Sequence, residues 1–288
     1  MKFARLGELG SEIPVMIDSE QYFDLRSITA DINGEFLASA PRDRVAAALT
    51  EGSLPILDGA DKLRVGAAIA RPSAIICIGM NYAAHAAESG SEPPSIPIVF
   101  LKTPNTMVGP NDTVEIPRSS VKTDWEVELG VVIGTRVSYL DSPADSAAHI
   151  AGFVTANDIS ERTFQLEVSG GQWSKGKCAP GFNPTGPWLV TPDAVDPGNL
   201  QLRSWVNGEP RQDSSTRDLI FDVNYILWHL SQYMTLEPGD LVLTGTPEGV
   251  ALSGRFPYLK PGDVCEIEIE GLGRQRQEFV AHGELAHV

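Results

Sequence analysis

The chain has 288 residues, of which 42% are hydrophobic and 21% are charged, as in a globular protein with one sizeable core and a smaller unit. Its formal net charge of -16 repels nucleic acid and anionic membrane surfaces, and no basic run counters that repulsion. We therefore expect neither a nucleic acid nor a membrane as a partner.

The cysteine content and the N-terminus indicate where the protein works. The three cysteines lie far apart and form no CxxC motif, which predicts neither a disulfide framework nor a zinc site. The N-terminus lacks an apolar signal core, and no apolar run approaches the roughly 18 to 20 residues of a membrane span. We expect a cytoplasmic protein.

Residues 1–70 predict a small mixed N-terminal domain. Short alternating runs such as residues 13–17 favour strands, and residues 42–49 favour a helix. The character of the sequence then changes, and we place a domain boundary near residue 70. Residues 71–288 form the larger predicted domain.

A buried strand at residues 74–79 leads into a predicted helix that ends at Gly90. On this helix Asn81, His85 and Glu88 have the spacing i, i+4, i+7 and share one face. A carboxylate that holds an imidazole fixes its tautomer and raises its basicity, as a general base requires. His85 and Glu88 are a candidate catalytic pair, and an exposed ion pair is the alternative.

Residues 123–134 alternate at first and then become apolar, which predicts a largely buried strand. Glu126 and Glu128 then point to one side and Trp125 to the other. Because burying unpaired charge costs several kcal/mol, the two carboxylates require a cation between them. Hard oxygen ligands suit Mg²⁺, Mn²⁺ or Ca²⁺.

A further strand is predicted at residues 151–158, with a helix starting immediately after Asp158. Arg162 and Gln165 follow at positions i+4 and i+7, so the helix can present a guanidinium and an amide beside the carboxylate. Such a clamp suits a substrate carboxylate or keto oxygen. Alternatively, Asp158 is only the N-cap of this helix.

Residues 171–177 begin like a phosphate-binding P-loop, but Cys178 stands where that motif requires Ser or Thr, and a helix precedes it. We interpret the segment as an active-site loop that carries Lys177, with Lys175 as the solvent-exposed alternative. For Cys178 the pattern favours a buried, inert thiol over a nucleophile.

In the last third of the chain, residues 221–234 predict an amphipathic helix on which His229 is structural. A strand at residues 241–244 leads into a Gly-rich turn. The turn offers the backbone N–H of Gly245 and the hydroxyl of Thr246 to an anion.

Several of these segments occur together in a specific order. They are Gly-Met-Asn-Tyr at 79–82 with His85 and Glu88, Asp-Trp-Glu-Val-Glu-Leu at 124–129, Asn-Asp-Ile-Ser-Glu-Arg at 157–162, Gly-Lys at 176–177, Pro-Thr-Gly-Pro at 184–187 and Leu-Thr-Gly-Thr-Pro at 243–247. In this order residues 71–280 resemble the fumarylacetoacetate hydrolase family. The resemblance implies a β-rich mixed α/β fold, with a rolled mixed β-sheet, a small N-terminal α+β domain and a homodimer.

The resemblance also implies a site for a small anionic 2-oxo acid. Glu126, Glu128 and Asp158 would hold a divalent cation that chelates the substrate carboxylate and 2-oxo oxygen. His85, held by Glu88 on a closing lid, would activate water for attack on the C4 carbonyl of an acylpyruvate.

The C3–C4 bond of the acylpyruvate would then break. The departing pyruvate enolate would be stabilised by the cation and Lys177. Arg162, Gln165, Gly245 and Thr246 would position the substrate.

Two other functions remain open for the same residues. Isomerisation or decarboxylation of a 2-oxo dicarboxylic acid needs no activated water, and a metal-stabilised binding protein needs no reaction at all. The presence of both His85 and Glu88 favours hydrolysis.

The resemblance extends to bacterial members described as ureidoglycolate lyases or 2,4-diketo-3-deoxy sugar-acid hydrolases. Those commonly have Ser-x-Asp-Thr-Phe after the lysine, whereas residues 178–182 of this chain are Cys-Ala-Pro-Gly-Phe. We therefore expect a polar contact near the distal end of the substrate to be missing.

Overall fold

The computed structural model describes residues 1–88, 90 and 92–285. The strands are β1 (Lys2–Leu6), β2 (Ile13–Asp18), β3 (Gln21–Asp24), β4 (Ile75–Gly79), β5 (Ile98–Lys102), β6 (Met107–Val108), β7 (Val114–Glu115), β8 (Thr123–Asp124), β9 (Val127–Ile133), β10 (Ile150–Asn157), β11 (Ser160–Glu161), β12 (Asn183–Pro184), β13 (Leu189–Val190), β14 (Gln201–Val206), β15 (Glu209–Ser215), β16 (Leu241–Leu243), β17 (Val264–Ile269) and β18 (Gly273–Val280). The helices are α1 (Gly34–Ala38), α2 (Pro41–Thr50), α3 (Ala83–Glu88) and α4 (Val223–Ser231). This strand-rich mixed architecture confirms the predicted fold class.

A nine-stranded sheet forms the centre of the protein, in the order β3-β2-β1-β13-β10-β9-β16-β4-β5. The sheet is mixed, because β16 runs parallel to β4 and antiparallel to β9. A five-stranded sheet has the order β15-β14-β17-β18-β7. Leu129 and Val131 of β9 share one buried apolar cluster with Leu202 and Ile267 of this second sheet. The two sheets therefore bury a common core.

The predicted strand at residues 123–134 is divided into β8 and β9, with Trp125 and Glu126 between them. Strand β10 pairs antiparallel with β9, and Asn157 lies opposite Val127. This register places the next residue, Asp158, beside Glu126, whose carbonyl oxygen accepts its N–H at 3.0 Å. The pairing of two central strands thus brings the third predicted carboxylate to the first two.

The N-terminal strands extend the central sheet. Strand β1 pairs with β13, and Lys2 lies opposite Val190. The buried ring of Phe3 packs edge-to-face on Phe36 of α1, with 5.6 Å between the ring centroids. Sheet pairing therefore runs across the boundary near residue 70, and the division into two domains stays a prediction.

The helix predicted to begin at Asn81 begins later, because α3 covers Ala83–Glu88. Asn81 precedes it, and its side-chain amide donates to the carbonyl oxygens of Phe221 (3.0 Å) and Thr244 (2.8 Å). Asn81 is therefore a buried anchor for two other segments, and it does not share a helix face with His85 as predicted.

The predicted C-terminal helix is present as α4. His229 on this helix is 8% exposed and lies between the rings of Tyr225 and Tyr233, as expected for a structural histidine. Within the described part of the chain, no helix is both long enough and apolar enough to cross a bilayer.

Replacing Phe3 by Ala tests how tightly the N-terminal strands are joined to the rest. Phe3 is 1% exposed, so Phe3→Ala should lower the free energy of unfolding by about 3–5 kcal/mol because it leaves a cavity against α1. We expect urea denaturation to show one shifted transition. As a control, Leu9→Ala at a side chain that is 71% exposed should change the free energy by less than about 0.5 kcal/mol. Two separate transitions in Phe3→Ala would instead show that residues 1–70 unfold on their own.

Candidate metal centre

Three carboxylates converge where β9 and β10 meet. One oxygen from each of Glu126, Glu128 and Asp158 lies within 4.8 Å of the others. The three side chains are buried, with residue exposures of 6%, 1% and 0%. An all-oxygen, buried and acidic donor set suits a hard divalent cation. The residues predicted as metal ligands are therefore together, and they fit such an ion.

Two buried lysines bind this group of carboxylates. The Nζ atom of Lys177 lies 2.7 Å from Glu126 Oε2 and 2.7 Å from Asp158 Oδ2. Although burial opposes the charge, Asp158 and Glu126 raise the pKa of Lys177 above its ordinary value. Lys177 is therefore a charged member of the centre.

The second lysine is Lys102, which the sequence analysis did not assign to the site. Its Nζ binds Asp158 Oδ1 and donates to the carbonyl oxygen of Phe182 at 2.9 Å. Lys102 is the last residue of β5, which is otherwise apolar. A lysine at the end of an apolar strand was the only available signal.

Arg162 is also bound to the protein's own carboxylates. One guanidinium nitrogen lies 2.7 Å from Glu126 Oε1, and Nε donates to Asp124 Oδ2 at 2.8 Å. Asp124 and Glu126 raise the pKa of Arg162 even though burial opposes its charge. Gln165 accepts a further hydrogen bond from Arg162 at 2.9 Å. Sequence reasoning did not assign Asp124 to this network, and the predicted role of Arg162 in binding substrate stays a prediction.

The helix predicted immediately after Asp158 is absent. Residues Ser160 and Glu161 pair instead with β8 as strand β11, and a π-helical turn follows at Thr163–Glu167. Asp158 is therefore not a helix N-cap. The turn nevertheless brings Gln165 to Arg162, as the spacing indicated.

Glu128 differs from the other two carboxylates of the triad. Within the described residues it makes no ion pair, and its Oε2 accepts the backbone N–H of Gly245 at 2.9 Å. Burial, Asp158 and Glu126 together raise the pKa of Glu128 well above its ordinary value. The centre contains the carboxylates Asp124, Glu126, Glu128 and Asp158 and the cations Lys102, Arg162 and Lys177. It thus has a surplus carboxylate, whose charge a bound cation would offset.

The Gly-rich turn predicted to hold an external anion binds the protein's own groups. Gly245 has a φ of +99°, and a Cβ on it would lie 2.9 Å from the Cβ of Asn81, so only glycine suits this position. Its N–H is used by Glu128. The hydroxyl of Thr246 donates to the carbonyl oxygen of Val127 at 3.0 Å.

His85 and Glu88 lie close together but are not hydrogen-bonded as predicted. His85 Nδ1 is 3.8 Å from Glu88 Oε2, which is too far for a hydrogen bond. Glu88 accepts instead from the N–H of Gly249 (3.0 Å) and from the Arg255 guanidinium (2.9 Å). Burial lowers the pKa of His85, so the imidazole is neutral near pH 7 and can accept a proton.

A cavity of about 350 Å³ lies over the centre. The predicted site residues that line it are His85, Glu126, Glu128, Arg162, Gln165, Lys177 and Thr246. The other three predicted residues do not line the cavity but contact residues that do: Glu88 lies beside His85, Asp158 pairs with Lys177, and Gly245 donates to Glu128. A second cavity of about 360 Å³ lies beside Phe3 and Leu37, but the residues described there include no comparable cluster of metal-binding side chains.

Residues 178–182, which follow Lys177, are not among the described residues that line this cavity. The half-buried Cys178 accepts the N–H of Thr103 at its Sγ, at 3.4 Å, and Phe182 is fully buried in the core. The expected absence of a polar contact near the distal end of the substrate stays a prediction. Exposed Lys175 donates to the carbonyl oxygen of Ser169.

A buried triad of oxygen donors, supported by cations and beside a cavity, could hold a metal ion within an active site. The chain belongs to the fumarylacetoacetate hydrolase family: the family model described as "Fumarylacetoacetate (FAA) hydrolase C-terminal" matches residues 74–280. The resemblance inferred from the sequence is confirmed, and the protein is an enzyme of this family.

Three relatives illustrate the range of the family. A 2,4-didehydro-3-deoxy-L-rhamnonate hydrolase from Sphingomonas sp. is 44% identical over 283 residues, which are 96% of this chain and 95% of that protein. Maleylpyruvate hydrolase from Sphingobium sp. SYK-6, solved with manganese(II) and pyruvate, has a TM-score of 0.80 and 26% identity, covering 98% of this chain and 99% of that chain. The 5-carboxymethyl-2-hydroxymuconate delta-isomerase of Mycobacterium smegmatis has a TM-score of 0.78 and 32% identity, and the match covers 99% of this chain and 100% of that chain.

Replacing Glu128 by Gln should affect stability and metal binding in different ways. The pKa of Glu128 is raised by folding, so its ionisation disfavours the folded state above the ordinary carboxyl pKa of about 4.3. At pH 7 and without metal, the free energy of unfolding of the variant should exceed that of the wild type by roughly 1 kcal/mol. Its affinity for Mn²⁺ should fall at least about a hundredfold.

Urea denaturation in chelator measures the first quantity, and titration calorimetry with Mn²⁺ measures the second. Glu278→Gln, at an exposed position on β18, is the matched control and should change neither. A variant at position 128 that kept its Mn²⁺ affinity would contradict the assignment.

Proposed function

We propose that this protein hydrolyses the C–C bond of a 2,4-dioxo acid, an acylpyruvate, to pyruvate and a carboxylic acid. The observation that carries the proposal is the buried carboxylate triad beside a cavity that also contains His85 and Lys177. The names of the two hydrolase relatives support hydrolysis, and the pyruvate bound to one of them supports a 2-oxo acid.

Glu126, Glu128 and Asp158 would hold the divalent cation. We propose Mg²⁺ or Mn²⁺, with Ca²⁺ as a further candidate, and the manganese(II) of the Sphingobium relative supports this set. Such an ion, when bound, supplies a Lewis acid for the carboxylate and 2-oxo oxygens of the substrate. Lys102 pairs with Asp158 and Arg162 pairs with Glu126, and these ion pairs hold the two carboxylates in position.

His85 would act as the general base. Its neutral imidazole lines the cavity and would accept a proton from a water molecule whose oxygen attacks the C4 carbonyl carbon. The C3–C4 bond then breaks, and its electron pair passes to the pyruvate enolate. Protonation of C3 completes pyruvate, while C4 leaves as the carboxylic acid.

Lys177 would stabilise the enolate. Its charge is maintained by Glu126 and Asp158, and Lys177 is one of the residues that line the cavity. A donor placed where negative charge develops lowers the barrier more than it strengthens substrate binding. Gln165 and Thr246 line the same cavity and would orient the substrate.

Isomerisation of a 2-oxo dicarboxylic acid is the second candidate function. The isomerase from Mycobacterium smegmatis shares this fold at 32% identity, and the same residues could transfer a proton between carbon atoms. For either reaction we propose a cytoplasmic homodimer that acts on a small anionic 2-oxo acid. Light scattering of the purified protein tests the dimer.

His85→Gln tests the role of His85 as the base, and the products of the wild-type enzyme separate hydrolysis from isomerisation. If His85 activates water, the variant should lose about 10²- to 10⁴-fold in kcat and keep its Mn²⁺ affinity, because His85 is outside the carboxylate triad. The assay follows pyruvate release together with the ultraviolet absorbance of the diketone. Loss of absorbance without pyruvate in the wild type would exclude hydrolysis.

The pH dependence of kcat/KM should report the environment of His85. Burial lowers its pKa, and only the neutral imidazole can accept a proton. The rate should therefore be constant near neutrality and fall as the pH drops through a value below the ordinary histidine pKa of about 6.5. If kcat/KM instead falls at a pH above that value, or falls in the same way in His85→Gln, the base is another group.

A further inference from the structure

Apolar side chains form a continuous part of the same cavity. They are Met80, Ile98, Phe100, Leu166, Trp173 and Leu252, and we call this set the apolar wall. Neither the carboxylate triad nor the proposed base requires these residues. They are therefore available to contact a part of a substrate that does not react.

The apolar wall begins directly beside the charged centre. The Nζ atom of Lys177 lies 5.2 Å from the ring centroid of Phe100. Phe100 in turn packs edge-to-face on Trp173, with 5.7 Å between the ring centroids. A substrate held near Lys177 would thus have aromatic surface beside it.

Two features of the backbone maintain this wall. A Cβ on Gly79 would lie 2.4 Å from the Trp173 ring, so glycine at this position admits the indole. Met80 has a φ of +56°, an unfavourable left-handed conformation for a side chain of this size. The strained backbone places a flexible thioether side chain in the cavity, where it can adapt to apolar groups.

The charges around the cavity disfavour a second carboxylate on the substrate. The cations that line it, Arg162 and Lys177, already pair with Glu126, and Glu92 adds another carboxylate to the lining. Among the lining residues that the structure describes, no other lysine or arginine is present. A distal carboxylate would therefore be desolvated without a partner.

We propose that the apolar wall binds the acyl group of the substrate and selects acylpyruvates whose acyl group is uncharged and largely apolar over dicarboxylic ones. This inference rests on the proposed hydrolysis. A cavity of about 350 Å³ has the volume of roughly a dozen water molecules at about 30 Å³ each. It is thus suited to pyruvate extended by a short acyl chain.

A matched substrate series tests the inference on the wild-type enzyme loaded with Mn²⁺. Succinylpyruvate carries a terminal carboxylate, its terminal amide has the same shape without the charge, and 4-methylpentanoylpyruvate replaces the carboxylate by an isopropyl group. We expect kcat/KM for the apolar compound to exceed that for succinylpyruvate at least about a hundredfold, with the amide between them. Calorimetry on the corresponding product acids gives the same ranking without turnover.

A charge introduced into the wall should reverse part of this preference. Leu166 lines the cavity and is 45% exposed, so Leu166→Arg adds a guanidinium without burying it. The preference for the apolar compound should fall about tenfold or more. Val168→Arg adds the same charge nearby, at a side chain that is 65% exposed and outside the cavity lining, and should change the ratio by less than about threefold.

The possible outcomes distinguish the two proposals. Equal or faster turnover of succinylpyruvate would overturn the apolar selection and leave hydrolysis intact. If no compound released pyruvate, hydrolysis would fail, and the calorimetric ranking of the product acids would still decide the role of the wall. An equal effect of Leu166→Arg and Val168→Arg would remove the wall as the cause of the selectivity.

Discussion

The structure depends on a surplus of buried carboxyl groups over buried cations where β9 and β10 meet. Strand pairing fixes Glu126, Glu128 and Asp158 within 4.8 Å of one another, where mutual repulsion and desolvation both oppose ionisation. Lys177 and Arg162 offset the repulsion and desolvation of Glu126. Their charges hold the pKa of Glu126 well below its ordinary value in spite of burial. Glu128 receives a backbone N–H but makes no ion pair within the described chain. The repulsion that disfavours ionisation of Glu128 in the metal-free fold would therefore favour binding of a cation.

The charge network also organises the apolar part of the cavity. Asp124 binds Arg162 and accepts the backbone N–H groups of Ala251 (2.8 Å) and Leu252 (2.9 Å). Leu252 belongs to the apolar wall, so one carboxylate connects the metal centre to the surface that we propose for the acyl group. On the other side Lys177 approaches Phe100. The reacting end and the non-reacting end of a substrate would thus be placed by one connected set of contacts.

Much of this site follows from strand periodicity, and the remainder depends on contacts between distant segments. Alternation along one strand is enough to place Glu126 and Glu128 on one side, and a strand that ends on Asp158 supplies the third carboxylate. Lys102 and Asp124 could not be assigned, because their partners are set by which strands become neighbours. The helix predicted after Asp158 fails for the same reason, since pairing of β11 with β8 overrides local helical spacing.

The pair of His85 and Glu88 shows the limit of helical spacing in another way. The i, i+3 relation brings the two side chains to 3.8 Å, as neighbours on a helix should be. It does not decide which donor Glu88 prefers, and Arg255 and the N–H of Gly249 take both carboxylate oxygens. His85 therefore receives little support from Glu88, and desolvation dominates its pKa. Positive charge at the triad would disfavour the imidazolium further, so that metal binding and burial both favour the neutral, proton-accepting form of His85.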